Sequence, residues 1–300
     1  MPSITVKGAV HSFTETAPRK PKGTLVFIHG WLLSQKYWRP ILDHLGAEYR
    51  CITYDLRGFG ESQGSLSQYA PELSHRAFKA GKSYSNYDLV AYASDLDTLL
   101  RSLRLSEVWL VGHSLGGSIA LWGGYCSPER VAGMICINSG GGIYVEKEFE
   151  KFRSAGQRVV EHTPSWLRYL PFLDIAFSHM MVHRPINRHW GRQRLLDLLH
   201  ADKKAAIESL LASTTEEAVH HLPQIVSQLK QPAYFLAGLD DKVMEPRFVK
   251  HLASFHPMFQ GHQNVLEIEN CGHIAMLEQP DKVAEFIRFC VQNPGLSLKL

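Results

Sequence analysis

The run Val108-Trp-Leu-Val-Gly-His-Ser-Leu-Gly-Gly117 constrains this chain more than any other stretch. Its apolar start predicts a buried strand, and glycines flank Ser114 where a helix should begin. This is the pattern of a nucleophile elbow, a turn too tight for side chains at the flanking positions. It predicts a strained Ser114 with an exposed hydroxyl, followed by a Leu115 amide that can help bind an oxyanion. A turn without chemistry is the other interpretation of the motif alone.

Length and composition indicate an ordinary soluble globular protein. The 300 residues are 45% hydrophobic and 20% charged, which suits one large α/β domain with an insertion. A net charge of +3 gives no indication of nucleic-acid binding. The five cysteines form no CxxC pair, so we expect buried thiols in a reducing compartment, the cytoplasm or an organelle. No apolar run reaches the roughly 20 residues of a transmembrane helix.

Strand and helix patterns alternate along most of the chain. Residues 3–17 predict a hairpin at the sheet edge. Ser85-x-x-Asp88 resembles a capping box that opens a helix. Residues 63–83 predict a long loop that flanks the pocket. Alternating strands and helices predict a mostly parallel sheet flanked by helices, an α/β fold. The predicted central strands are 24–28, 51–55, 108–114, 131–137, 233–241 and 264–270.

The alternation stops after Asn138. From 140 to 230 no strand pattern is present, only helical segments punctuated by prolines. We therefore predict a core of residues 1–139 and 231–300 that carries an inserted all-helical lid, 140–230. The predicted lid helices are 145–160, 164–182, 188–212 and 215–229, and a last core helix is predicted over 274–292.

A serine nucleophile needs a base, and the base needs a carboxylate. Among 16 histidines, His273 stands out because it follows a predicted strand and a glycine and precedes a helix. Asp241 ends the preceding strand, which places both residues at the same sheet edge as Ser114. The same triad occurs in three chain orders on unrelated folds, and Ser, Asp, His is one of these orders.

These motifs together resemble the α/β-hydrolase family. The resemblance covers the chain outside the lid and rests on five motifs in the family's order. They are Ile28-His-Gly-Trp31, Asp55-Leu-Arg-Gly-Phe-Gly-Glu-Ser62, Gly112-His-Ser-Leu-Gly-Gly117, Gly238-Leu-Asp-Asp241, and Cys271-Gly-His273 with Glu278-x-Pro280.

The resemblance implies a role for each matched residue. Ser114 would attack, His273 would act as general base and then acid, and Asp241 would orient it. The amides of Trp31 and Leu115 would form the oxyanion hole. Asp241 is favoured because the family's acid stands three residues after the glycine, and Asp240 is the alternative. Some relatives carry the acid after the strand before the lid, where this chain has Asn138-Ser139.

The substrate is predicted mainly from the lid. We expect His29, Trp166, Phe172 and Phe177 to line a pocket for a hydrophobic part of a small-molecule substrate. The stretch 183–194 is rich in arginine and histidine. It is typical of a solvated lid face, and the alternative is attraction of an anionic substrate or peripheral contact with a membrane surface.

The leading hypothesis is a serine esterase, hydrolysing a carboxylic ester or thioester without a metal or organic cofactor. A carbon-carbon bond hydrolase is the nearest rival, although that branch has Asn before the nucleophile and Trp after the histidine, where this chain has His113 and Ile274. A cofactor-free perhydrolase would use the same triad. A non-enzymatic alternative is a ligand receptor that uses the pocket. Serine at 114 disfavours the dehalogenase and epoxide hydrolase branches, which need a carboxylate nucleophile.

Overall fold

The computed structural model describes residues 2–62, 85–260 and 263–298. Its strands are β1 (Ser3–Val6), β2 (Ala9–Thr16), β3 (Thr24–Ile28), β4 (Arg50–Tyr54), β5 (Val108–His113), β6 (Val131–Ile137), β7 (Ala233–Gly238) and β8 (Val265–Ile268). They form one eight-stranded sheet in the order β1-β2-β4-β3-β5-β6-β7-β8. Strands β1 and β2 form an antiparallel hairpin at the edge, β2 pairs antiparallel with β4, and the remaining pairs are parallel. The predicted mostly parallel sheet with an edge hairpin is confirmed.

Helices cover both faces of this sheet. In the described residues the α-helices are α1 (Arg39–Leu45), α2 (Leu89–Ser102), α3 (Leu115–Cys126), α4 (Glu146–His162), α5 (Leu173–His179), α6 (Arg188–His200), α7 (Lys203–Ser213), α8 (Glu216–Gln228), α9 (Pro246–Ala253), α10 (Ala275–Glu278) and α11 (Pro280–Gln292). Two 3₁₀ helices span Gln35–Trp38 and Ser165–Tyr169. Of the helices described, none is long and apolar enough to cross a membrane.

Strand β3 shows why the central strands have continuous apolar sequences. Val26 and Ile28 pack into one buried cluster, whereas Leu25 and Phe27 pack into a second. Successive strand residues point to opposite faces, so a strand covered by helices on both sides needs apolar residues at every position. All four side chains are fully buried.

Two of the predicted helices divide at prolines, whereas the predicted 188–212 helix divides into α6 and α7 because Asp202 caps a new helix by accepting from the Ala205 amide. The last predicted helix divides at Gln279, because Pro280 lacks an amide hydrogen and moves the preceding residue out of the helical region. The predicted 164–182 helix becomes a 3₁₀ helix and α5, separated by Pro171 and by Phe172 with φ 68°. Pro223, in contrast, lies inside α8.

The predicted capping box is wrong in its register. Asp88, rather than Ser85, is the N-cap of α2, and its carboxylate accepts from the Ala91 amide at 2.7 Å. The predicted loop 63–83 lies outside the described residues.

The five helices α4 to α8 lie between β6 and β7. Helix α5 packs on α6, and α4 packs on α7. The Trp31 indole donates to the Ala206 carbonyl oxygen of α7 at 2.8 Å, so this helical insertion contacts the residues that follow β3. The helices stand over the edge where the parallel strands end.

Candidate active site

Ser114 lies in the sharp turn between β5 and α3. Its φ is 51° and its ψ is −118°, a strained conformation for a residue with a side chain. A Cβ on Gly112 would lie 2.2 Å from the Gly116 oxygen, and one on Gly116 would lie 2.2 Å from the Ile28 oxygen. The backbone is therefore too close at both positions for any residue except glycine. The half-buried Ser114 side chain is raised above the sheet.

Two backbone amides lie next to this turn, those of Trp31 and Leu115. Leu115 is the first residue of α3, where the helix leaves its amides without intrahelical partners. Trp31 follows the end of β3, the strand adjacent to β5. Neither amide donates a hydrogen bond within the described part of the chain. The two residues both line the cavity that Ser114 faces.

Asp241 and His273 form a buried pair at the ends of β7 and β8. Asp241 Oδ2 lies 2.7 Å from His273 Nδ1, and both side chains are at most 3% exposed. The other Asp241 oxygen accepts from the amides of Val243 and Met244 at 2.8 and 2.9 Å. The carboxylate is thus fixed by the backbone on one side and contacts the imidazole on the other.

The adjacent Asp240 points away from this pair. Its carboxylate lies 3.3 Å from His183 Nδ1 and its side chain is 43% exposed. Of the two neighbouring aspartates, the structure brings Asp241 and not Asp240 onto His273.

Three side chains that sequence reasoning gave no site role hold the His273 loop. The Asn138 side-chain amide donates to the carbonyl oxygens of Gly272 and His273 at 2.9 and 2.8 Å. Its own oxygen accepts from the Gly238 amide at 2.8 Å. Asn138 thereby joins the end of β6 to the end of β7 and to the loop after β8.

His113 contacts the same carbonyl oxygen from beneath the elbow. Its Nε2 donates to the His273 oxygen at 2.8 Å, which requires the proton on Nε2. Burial, and secondarily the nearby His273, holds the pKa of His113 well below its ordinary value, so the ring is neutral. This neutral ring is 1% exposed and packs beneath the turn.

Glu278 is the third side chain that holds the His273 loop. Its carboxylate accepts from the amides on both sides of the candidate base, Gly272 at 3.0 Å and Ile274 at 3.1 Å. It also accepts from the amide of His183 in the helical insertion at 2.7 Å. The His273 amide in turn donates to the Met181 oxygen at 2.8 Å. The motif Glu278-x-Pro280 was a sequence signal for this residue, but not for its contacts.

The Ser114 hydroxyl and the His273 ring make no hydrogen bond within the described residues. Catalytic hydrogen bonds of this kind are often long before substrate binds. The structure places both residues at the carboxyl edge of the sheet, with the His273 carbonyl bonded to His113, the residue that precedes Ser114.

A cavity of about 490 Å³ opens above Ser114. Its wall is mostly apolar on the side of the helical insertion, with Phe149 and Phe152 from α4 and Leu210 from α7. Charged side chains of Glu148, Lys151, Lys242 and Glu245 lie in the wall as well. The remaining lining residues include Trp31, Leu115, Ile143, Val219, Leu222, Met244 and Phe248.

The four residues predicted for the pocket lie elsewhere. His29 is fully buried, and its Nε2 accepts from the Leu56 amide at 2.9 Å. Trp166 and Phe172 are 57% and 68% exposed, and Phe177 does not line the cavity. The predicted helix is interrupted at Pro171, and the residues on either side of this interruption are exposed. The insertion instead contributes Phe149 and Phe152 to the lining, and their spacing of three residues on a predicted helix was the signal available in the sequence.

The sheet, the elbow and the buried acid–histidine pair define the class of protein. They form the arrangement of the α/β hydrolases, in which the parts of the site stand at the carboxyl edge of a mostly parallel sheet. Residues 23–280 match the model of the alpha/beta hydrolase fold family. The chain belongs to this family and is an enzyme of the hydrolase type, which confirms the resemblance noted in the sequence.

One relative and one solved structure described next match nearly the whole chain, and a second relative matches part of it. A pimeloyl-[acyl-carrier protein] methyl ester esterase of Aliivibrio salmonicida is 26% identical over 269 residues, covering 88% of this chain and 91% of its own. Human epoxide hydrolase 4 is 33% identical over 122 residues, 41% of this chain and 29% of its own. The solved structure of a thermophilic esterase from Thermogutta terrifontis superposes with a TM-score of 0.72 and 21% identity, over 97% of this chain and 98% of its own.

Proposed function

We propose that this protein is a serine hydrolase that cleaves a carboxylic ester or thioester with a hydrophobic moiety through an acyl-enzyme on Ser114. The proposal is carried by the buried Asp241–His273 pair, 2.7 Å apart, at the same sheet edge as a strained serine that faces a cavity. A buried carboxylate that contacts an imidazole nitrogen fixes the tautomer whose other nitrogen can accept a proton.

The geometry supports a two-stage reaction. Ser114 Oγ attacks the carbonyl carbon while His273 Nε2 accepts its proton, and the amides of Trp31 and Leu115 stabilise the oxyanion. The protonated His273 then donates to the leaving alcohol or thiol. In the second stage His273 takes a proton from water as the water oxygen attacks the acyl carbon. His273 then returns this proton to Ser114 Oγ as the bond between Oγ and the acyl carbon breaks, which releases the acid and restores the Ser114 hydroxyl. Asp241 stabilises the imidazolium in both stages.

The shape and lining of the cavity support a hydrophobic substrate moiety. Phe149, Phe152 and Leu210 face the space above Ser114, and about 490 Å³ is enough for a medium-sized acyl or alcohol group. The name of the Aliivibrio relative, a methyl ester esterase, supports an ester as the bond cleaved. Serine at position 114, in place of a carboxylate, argues against epoxide opening although epoxide hydrolases are among the relatives.

A substrate panel with matched variants tests this proposal. Purified protein is assayed on esters of increasing acyl length, the corresponding thioesters, and diketones cleavable between carbons. We expect ester or thioester hydrolysis that rises with acyl length, and a loss of about 10⁵- to 10⁶-fold in Ser114→Ala. The control is Ser118→Ala, a second cavity serine, which should stay within about tenfold. Cleavage of diketones alone, or equal effects of the two substitutions, would refute the proposal.

A further inference from the structure

Several large apolar side chains of the helical insertion lie in solvent. Trp166, Tyr169 and Phe172 are 57%, 80% and 68% exposed, and Met180 is 44% exposed. Trp166 and Tyr169 are three residues apart in a 3₁₀ helix, where residues at this spacing lie on one side. These four residues are called the aromatic face. Four large exposed apolar side chains within one stretch of 15 residues, 166–180, are more than the scattered single side chains of an ordinary surface and indicate an interaction surface.

The aromatic face is presented by a firmly packed scaffold. Arg194, 7% exposed, donates to the oxygens of Phe177 and Met180 at 2.9 and 2.5 Å. Helix α6 approaches α5 so closely at Gly191 that a Cβ there would lie 1.9 Å from the Asp174 oxygen. Phe172 has a φ of 68°, a costly conformation for a residue with a side chain, and its ring is 68% exposed. The exposure of these rings is therefore built into the fold.

Positive charge is concentrated in the segment of the chain that carries the aromatic face. Residues 163–192 contain four arginines, 168, 184, 188 and 192, and a single acidic residue, Asp174. Their formal charge, +3, equals that of the entire chain. Arg188 pairs with Asp174 at 2.8 Å, while Arg184 and Arg192 are exposed. Aromatic side chains favour the headgroup level of a bilayer, and arginines are attracted to anionic headgroups.

We propose that the aromatic face docks on an anionic lipid surface. This inference rests on the proposed hydrolase function, because it identifies the source of the hydrophobic substrate as the lipid layer. Helix α4, which lines the cavity through Phe149 and Phe152, leads directly into the aromatic face. On its other side, Met181 accepts from the His273 amide at 2.8 Å. Docking would thus hold the cavity and the His273 loop next to the lipid surface.

Vesicle sedimentation of the full chain tests docking. The vesicles are pure phosphatidylcholine, or three parts phosphatidylcholine to one part phosphatidylglycerol. Ser114→Ala is measured beside the wild type, so that docking is read independently of hydrolysis. We expect both proteins to bind the anionic vesicles at least about tenfold more tightly than the neutral ones, and binding to weaken at high salt. Absence of binding to the anionic vesicles would overturn the proposal even if esters are hydrolysed.

Variants locate the docking surface. The triple substitution Trp166→Ala, Tyr169→Ala and Phe172→Ala should weaken binding by about tenfold or more, as should Arg168→Glu with Arg184→Glu. The matched control, Phe255→Ala with Leu296→Ala, removes exposed apolar side chains elsewhere and should stay within about twofold. Circular dichroism melts verify folding, and the arginine variant remains a test if the triple variant does not fold. Equal binding by the triple variant and control, or self-association through the aromatic face without vesicle binding, would contradict docking on lipid.

Discussion

The carboxyl edge of the sheet and the helical insertion place their residues in opposite ways. At the sheet edge each position is fixed by close backbone contact: a Cβ on Gly116 would lie 2.2 Å from Ile28, and Asp241 contacts His273 at 2.7 Å with both buried. In the insertion, Tyr169 and Phe172 are 80% and 68% exposed. Local backbone contacts thus hold the residues proposed for the chemistry, whereas packing within the insertion sets which side chains line the cavity above them.

The largest effect is expected from breaking the backbone contact at the sheet edge. Gly116→Ala places a methyl group 2.2 Å from the Ile28 oxygen, and no flexible side chain is there to move aside. We expect the free energy of unfolding to fall by about 4 kcal/mol or more, measured by urea titration. Gly23→Ala is the control, because its Cβ would meet only ordinary contacts at 3.8 Å and beyond. Similar stabilities of the two variants would contradict this view of the turn.

The next effect concerns the two adjacent aspartates. Asp241→Asn replaces the carboxylate that contacts His273 Nδ1 and favours the wrong tautomer, so we expect kcat to fall by about 10⁴-fold. Asp240→Asn removes a partly exposed carboxylate that pairs with His183, and should change kcat by less than about tenfold. Steady-state kinetics on the best ester measures both. A larger loss in Asp240→Asn would reverse the assignment.

A smaller effect is expected where the two regions meet, at Glu278. Glu278→Gln keeps the size of the side chain but replaces one carboxylate oxygen by an NH2 group, which cannot accept. At least one of the amides of His183, Gly272 and Ile274 therefore loses its acceptor. We expect kcat to fall by about 10- to 100-fold, with KM little changed, because the His273 loop is displaced while the cavity is intact. Glu285→Gln, an exposed residue of α11, is the control. A rise in KM with constant kcat would show that Glu278 acts on substrate binding instead.

The smallest effect is a pH dependence at the base of the insertion. Asp197 of α6 accepts from Ser34 and Gln193, and burial raises its pKa to about 7. Because the folded state then binds this proton more tightly than the unfolded state, with its pKa near 3.9, stability is lost as pH rises from about 4 to 7. Asp197→Asn should remove this loss and raise the Tm at pH 8 relative to the wild type, but not at pH 4.

Thermal melts across this pH range measure the Asp197 effect. Exposed Asp43→Asn is the control and should follow the wild-type curve. A Tm difference between Asp197→Asn and wild type that is the same at both pH values would contradict a titration at this residue.

The parts of the molecule predicted from sequence are those set by local rules. Continuous apolar strands, the spacing of helices and the glycines at 112 and 116 each encode their own geometry, and the sheet and its order of elements followed from them. The same local rules place Ser114, Asp241 and His273 after strands that end at one edge. The roles proposed for them remain predictions.

The contacts that sequence reasoning missed join residues far apart in the chain. Asn138 and His273 are 135 positions apart in the sequence, and His113 and His273 are 160 positions apart. No periodic pattern links either pair. The prediction that Trp166, Phe172 and Phe177 line the pocket was wrong for a related reason. Periodicity shows that a helix has an apolar face but not which neighbour covers it, and here Trp166 and Phe172 are exposed to solvent. Which side of such a segment faces the cavity depends on tertiary packing, which no local pattern encodes.

The most direct test of the proposed chemistry is to locate a covalent adduct. The wild-type protein is treated with a fluorophosphonate, which reacts with an activated serine, and the modified peptide is identified by mass spectrometry. We expect one adduct on Ser114, absent from Ser114→Ala and strongly reduced in Asp241→Asn. An adduct on another residue, or no adduct on protein that is folded by circular dichroism, would contradict the assignment of Ser114 as the nucleophile.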